Sequence, residues 1–214
     1  MNDSFFQAPK KETNYESDLA CERRKVDLTT PGITYRTEEN GIFKWERIEI
    51  SSREGELEIG RPCGSYDTLS IPRMDTLEDY ELEDAANEVA KELCAILEKT
   101  AISPARILVV GLGNSELTPD SIGPKTAESV NATMHLRKSD PDIFRTLDCM
   151  EMAVNIPGVM ANTGIEATDS ISAICDIIEP DVVIAIDSIA SKSPSRLGTT
   201  IQISNTGIFP GSGI

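Results

Sequence analysis

The chain is nearly devoid of histidine: among 214 residues only His135 could serve as an imidazole base or ligand. It lies in the polar run MHLRKSDPD, where it reads as an exposed helix-end residue. A classical zinc peptidase needs HExxH and a serine hydrolase of the usual α/β kind needs G-x-S-x-G; neither motif occurs, so both chemistries fail on residue supply. Basic residues are scarce too. Twenty Lys and Arg against 36 Asp and Glu give a formal charge of −16, which argues against direct nucleic-acid binding and against attraction to an anionic membrane. Long apolar runs are absent, and the start MNDSFFQAPKKETNYESD lacks a secretory apolar core, so the expected location is cytoplasmic with no membrane partner. The five cysteines, Cys21, Cys63, Cys94, Cys149 and Cys175, form no CxxC pair and have no neighbouring His; free buried thiols are expected rather than disulfides or zinc.

What is present is an apolar content of 39%, enough for a real core, and two segments rich in chemical signal. Ile107 to Lys125 reads ILVVGLGNSELTPDSIGPK, and Asp181 to Gly213 reads DVVIAIDSIASKSPSRLGTTIQISNTGIFPGSG. In each, a short β-branched run reads as a buried parallel strand that exits into a turn-rich segment holding a candidate acid, Asp120 in the first and Asp187 in the second. Open α/β sheets bind and react at the carboxyl ends of their strands, so two such exits would bring two carboxylates into one crevice. Gly111-Leu112-Gly113 invites a nucleotide reading, but a dinucleotide fingerprint would need Gly where Glu116 stands, and the Walker spacing fails at Thr118 and at Pro124. The plain alternative is that these glycines only permit a tight strand exit.

Along the chain, residues 1–18 are polar and aperiodic and read as a flexible extension, followed by a single domain over 19–214. Gly41 to Ile50 alternates as a strand, with Trp45 as a packing residue, and Gly55 to Met74 reads as loop. Leu77 to Lys99 places Leu82, Ala86, Val89, Leu93, Ile96 and Leu97 on one helical face, which should cover the sheet. A helix is expected within Ser121 to Met134, starting near Pro124, a strand within Arg145 to Val154, and a second covering helix over Thr168 to Ile178. This succession predicts a three-layer α/β fold around a mostly parallel central sheet.

Four stretches together carry a resemblance: VVGLGNSELTPDSIGPK, IPGVMANTGIEATDSI (Ile156 to Ile171), PDVVIAIDSIASKS and TTIQISNTGIFPGSG. In order and spacing they resemble the germination protease family of spore-forming bacteria, and weaker similarity extends through Ser17 to Arg24 and Gly55 to Ile71. The resemblance implies a fold like that of the hydrogenase maturation peptidases (phosphorylase/hydrolase-like). It also implies an aspartic-type endopeptidase with Asp120 and Asp187 as catalytic acids, made as a self-processing zymogen and assembled as a homotetramer. The implied substrates are small acid-soluble spore proteins, cut in the forespore and spore core, with no cofactor. Two carboxylates a few ångströms apart do not both ionise cheaply, so one keeps a proton while the other takes one from water. Which does which is left open by sequence. Asn114, Thr199 and Thr200 stand beside the acids as candidates to orient substrate or to satisfy turn backbone, and Asp120 would also serve as a helix N-cap. A metal held by Asp120, Asp187 and one further acid, as in a metal-dependent maturation peptidase, is the minor alternative; a silent relative serving in binding or assembly is another.

The family's cleavage pattern (Thr/Ser, Glu, Phe/Ile, Ala, Ser, Glu, cut after the first acid) is matched in kind by Ser17-Asp18-Leu19-Ala20-Cys21-Glu22, which places a propeptide cut between Asp18 and Leu19. A short helix capped by Ser17 is the local alternative. The resemblance departs in two places. Phe209 stands where the last motif has His, and family members continue past Gly211-Ser212-Gly213, so elements completing the family fold are expected to be missing from a chain ending at Ile214.

Overall fold

A computed structural model of the chain describes residues 17–23, 30–99 and 105–208. It has seven strands: β1 Ile33–Asn40, β2 Phe43–Ile50, β3 Gly64–Ser70, β4 Arg106–Gly111, β5 Glu151–Asn155, β6 Val182–Ile186 and β7 Thr200–Ser204. The α-helices are α1 Arg53–Ile59, α2 Asp79–Lys99, α3 Ile122–Glu128, α4 Leu136–Ser139, α5 Pro141–Leu147, α6 Met160–Thr163 and α7 Ala167–Ile178. The strands form two sheets rather than the expected single, mostly parallel one. One is antiparallel with order β1-β2-β3-β7; the other is parallel with order β5-β4-β6.

The parallel sheet follows from the β-branched runs. Strand β4 is central, and alternate residues face opposite layers. Leu108, Val110 and Leu112 pack with Ile171, Ile174, Cys175 and Ile178 of α7, while α3 lies against β4 and β6. Locally this is the three-layer arrangement the sequence predicts. Helix α3 seats closely because Gly123 has no side chain: a Cβ there would fall 2.1 Å from the carbonyl oxygen of Leu112 and 2.4 Å from that of Ile186. The strand expected within Arg145 to Val154 is confined to β5, since Asp140 caps α5 through a hydrogen bond from Ile143 N and takes residues 141–147 into a helix.

The antiparallel sheet contradicts the loop reading of Gly55 to Met74, most of which is α1 and β3. Strand β2 is buried on both faces. Phe43 and Trp45 join Leu69, Ile71 and Ala85 of α2 on one side; Ile48 and Ile50 join Leu19, Ala20, Cys21, Ile59 and Tyr66 on the other. Helix α2 therefore covers the antiparallel sheet, and through Ala85, Glu88, Val89, Glu92 and Ile96 rather than through Leu82 and Ala86, which are exposed. Glu88 and Glu92 turn inward because partners wait there. Trp45 Nε1 donates to Glu88 at 3.3 Å, and Arg47 lies between Glu92 (2.5 Å) and Asp67 (3.3 Å) with its guanidinium 4.7 Å from the Trp45 ring centre. Burial, with the nearby Glu92, pushes the Asp67 carboxyl up despite the Arg47 cation.

All five cysteines are free, as expected, but only Cys21 is buried; Cys63 and Cys94 are exposed. Among the described residues no helix is long and apolar enough to cross a membrane. Phe209 and Gly211 to Gly213, singled out from sequence, lie outside the described residues, as do residues 1–16 of the expected extension.

Candidate functional site

Strands β4 and β6 are parallel neighbours, and their last residues are in register: Gly111 pairs with Ile186, and Leu112 N donates to Ile186 O at 2.8 Å. Both chains then turn out at the same sheet end. The β4 exit folds back on itself through Asn114, whose N–H donates to Asp120 Oδ2 at 2.8 Å and to Asp120 O at 3.1 Å. Asn114 Oδ1 accepts from Glu116 N at 3.0 Å, closing the turn. Gly113 sits at φ +112°, with its α-carbon so close to Asp120 that a Cβ would lie 2.2 Å from the Asp120 carbonyl oxygen and 2.8 Å from Oδ1. The glycine of the apparent nucleotide motif is thus the residue that lets Asp120 approach its own strand.

Asp187 is the first residue after β6. It is half-buried, its Oδ1 accepts from Ser188 N at 2.8 Å, and its carboxyl is pushed up from 3.8 to about 6. Burial is the main cause, and the negative charges of Asp120 and Asp18 add to it against the Ser188 hydrogen bond. Asp120 and Asp187 are thus brought together at the strand ends. A cavity of about 40 Å³, room enough for water, adjoins Asp187 and is walled by Asp18, Arg61, Ser188, Gln202 and Ser204. Ser188 Oγ faces no hydrogen-bond partner among the described residues, nor does the Nδ2 of Asn155, the last residue of β5.

The other sequence candidates divide. Asn114 is in the site, acting through its backbone and its turn. Thr199 and Thr200 are not on the cavity wall: Thr200 begins β7 opposite Ser70, and the Thr199 hydroxyl donates to Ser195 O at 3.0 Å, a local turn role. The β7 residues that reach the cavity are Gln202 and Ser204. Ser17 and Asp18 are not free of the fold; Ser17 is 1% exposed, and a 3-10 turn follows over Ala20–Arg23. Among the described residues no three His, Cys, Asp or Glu side chains are gathered as metal ligands would be. Sequence reasoning missed Arg61, Gln202 and the loop 188–193, whose partners lie more than forty residues away in the chain.

Residues 10–214 match the family model for germination protease. The chain belongs to the germination protease family. It is 39% identical over 203 residues to the germination protease of Caldanaerobacter subterraneus subsp. tengcongensis, covering 92% of this chain and 61% of the relative. With that of Priestia megaterium it shares 40% over 214 residues, covering 92% and 56%, and with that of Clostridium acetobutylicum 35% over 204 residues, covering 92% and 62%. The chain therefore spans about three fifths of the length of the curated germination proteases it matches.

Proposed function

We propose that this chain carries the acid pair of an aspartic-type endopeptidase that opens small acid-soluble spore proteins at germination. The observation that supports it is the convergence of Asp120 and Asp187 on adjacent strand ends, with Asp187 raised to about 6. An acid with that titration keeps its proton at mildly acidic pH and can give it to the scissile amide; Asp120 is then the base that takes a proton from the attacking water. Water oxygen bonds to the carbonyl carbon, the C–N bond breaks, and the proton from Asp187 leaves with the amine while Asp120 holds the one from water. Return of that proton to Asp187 restores the pair.

The same reading includes a zymogen that cuts itself between Asp18 and Leu19. In support, Asp18 walls the cavity beside Asp187 and adds to its raised pKa. Kinship of fold with hydrogenase maturation peptidases, assembly as a homotetramer and action in the spore core complete the proposal, carried by family membership. The test is hydrolysis of a peptide bearing the acidic spore-protein motif by this chain and by its Asp120→Asn and Asp187→Asn variants, with and without chelator. Expected is loss of turnover by at least a thousandfold in both variants and indifference to chelator. Near-normal turnover in either variant refutes the acid pair; chelator-sensitive turnover transfers the acids to a metal.

A further inference from the structure

The stretch IPGVMANTGIEATDSI supplies neither acid, yet it leaves the sheet beside them. Strand β5 ends at Asn155, opposite Val110 in the neighbouring strand β4, so the connection from β5 to α7 departs next to the turn that carries Asp120. That connection is fastened to itself. Gly158 and Gly164 both sit at φ +73°, and the Gly164 N–H closes α6 on Met160 O at 2.8 Å. The Thr163 hydroxyl stands 3.2 Å from Val159 O and 3.0 Å from Ile165 O, and it accepts from Ile165 N at 3.1 Å.

A loop held this firmly nevertheless turns large apolar side chains to solvent. Ile156, Met160 and Ile165 are exposed, the last two at 55% each, and on the β4 exit Leu117 and Ile122, on either side of Asp120 in the chain, are exposed as well. Single exposed apolar side chains are ordinary on a protein surface; five on two loops from neighbouring strand ends are not. Their uncovered surface is on the order of 500 Å², the size of the largest and often functional patch on a monomer. Charge is missing there too: Asn155 to Ile165 includes no Asp, Glu, Lys or Arg, although these make up 26% of the chain. At the root of the loop, Asn155 Nδ2 is buried and has no hydrogen-bond partner among the described residues. An orphaned donor is a cost that an incoming acceptor removes, and the carboxamide turns about its last torsion without breaking a bond.

We propose that the β5–α7 connection and the β4–α3 turn form a docking surface for the substrate protein. It takes an uncharged, apolar stretch lying outside the cut motif, and Asn155 Nδ2 donates to a main-chain carbonyl of that stretch. Apolar side chains beside one amide donor match a polypeptide; an ion has no use for the first, and a lipid chain none for the second. A chain lying across Leu117 and Ile122 also passes Asp120, so the occupant is the polypeptide that is cut. A stable second copy would need ~800 Å² on each partner, well beyond what these loops offer. Contacts remote from the reacting bond supply binding energy that a short peptide lacks, so the surface favours whole substrate proteins over fragments with the same motif. Naming the occupant as substrate rests on the protease reading.

The test is binding to Asp120→Asn chains, which do not cut what they hold. Anisotropy is read with two fluorescein-labelled probes, an intact small acid-soluble spore protein and a short peptide of its cut motif alone. Met160→Glu with Ile165→Glu should weaken the intact protein at least tenfold and leave the short peptide within twofold. Asn155→Leu should weaken the intact protein at least threefold and the short peptide not at all. Equal weakening of both probes, or of neither, overturns the proposal. Velocity sedimentation at the assay concentration addresses a second copy: a parent that sediments as a larger species than the double variant assigns the surface to copy contacts and overturns it as well. Should the charged pair unfold the chain, Met160→Ser with Ile165→Ser takes its place. Cleavage by chains that retain Asp120 keeps the two readings apart. Loop-dependent binding of the intact protein with neither probe cut sinks the protease reading and leaves the docking surface standing; cleavage of the short peptide, with the intact protein indifferent to the loop variants, sinks the docking surface alone.

Discussion

Replacing Asp187 by Asn should stabilise the fold at neutral pH. The folded pKa lies above the unfolded one, so the native state binds the additional proton between about pH 4 and 6, and the stability that goes with it is complete below that window and lost as pH rises through it. The rise from 3.8 to about 6, at about 1.4 kcal/mol per pH unit, bounds the cost of ionising Asp187 near ~3 kcal/mol. Solvent reaching a half-buried carboxylate screens this to about 1–2 kcal/mol. An Asn keeps an oxygen to accept from Ser188 N and removes the charge that Asp120 and Asp18 oppose. Urea unfolding at pH 7.5 should therefore show the variant about 1–2 kcal/mol more stable, with its melting temperature up by roughly 2–6 °C for a chain of this size. At pH 4 the two proteins should agree within about 0.5 kcal/mol, since both then carry a neutral side chain. A variant less stable than the parent at pH 7.5, or one equally stabilised at both pH values, would refute the picture of a desolvated acid facing like charges. Stability gained with activity lost is the expected mark of a site built against the fold's own interest.

Arg47→Leu should cost about 3 kcal/mol, because it leaves Glu92 and Asp67 buried without their cation, and the loss should shrink on acidification as Asp67, whose carboxyl burial already pushes up, takes a proton; chemical unfolding from pH 7.5 to pH 5 measures both. Gly113→Ala should lower turnover of the acidic peptide by at least tenfold and cost about 1–3 kcal/mol, since at φ +112° the new Cβ must displace Asp120; activity assays beside unfolding curves separate the two effects.

The convergence of Asp120 and Asp187 was legible because both strands are continuous β-branched runs that lead into a turn-rich exit carrying the acid, Asp187 directly after β6 and Asp120 at the far side of the β4 exit turn. Adjacency of the two strand ends then follows from sheet geometry. The antiparallel sheet was not. Its third strand, GSYDTLS, is made of small and hydroxyl residues around Asp67 and is bracketed by glycine and proline, so it carries the local chemistry of a loop; it is a strand because β2 and β7 flank it and Arg47 neutralises Asp67. Strand β1, ITYRTEEN, is an exposed edge whose charges hide its alternation. The face of α2 was misphased for a related reason: two glutamates point inward to Trp45 and Arg47, and hydrophobicity alone cannot report a buried ion pair. Arg61 stands in a turn-rich stretch with nothing nearby to mark it, and its partners at residues 17 and 18 become neighbours only in the folded chain.

Gly123 makes the separation of the two acid-bearing loops a matter of backbone against backbone. Helix α3 rests directly on the main-chain oxygens of Leu112 and Ile186, the residues at which the two loops depart. Side chains in a core can trade volume among themselves, and an interface made through them drifts as they do. A contact between peptide groups has no such freedom. Exchanges among Ile, Val and Leu elsewhere in the parallel sheet can alter stability while the gauge between Asp120 and Asp187 stays where that glycine sets it.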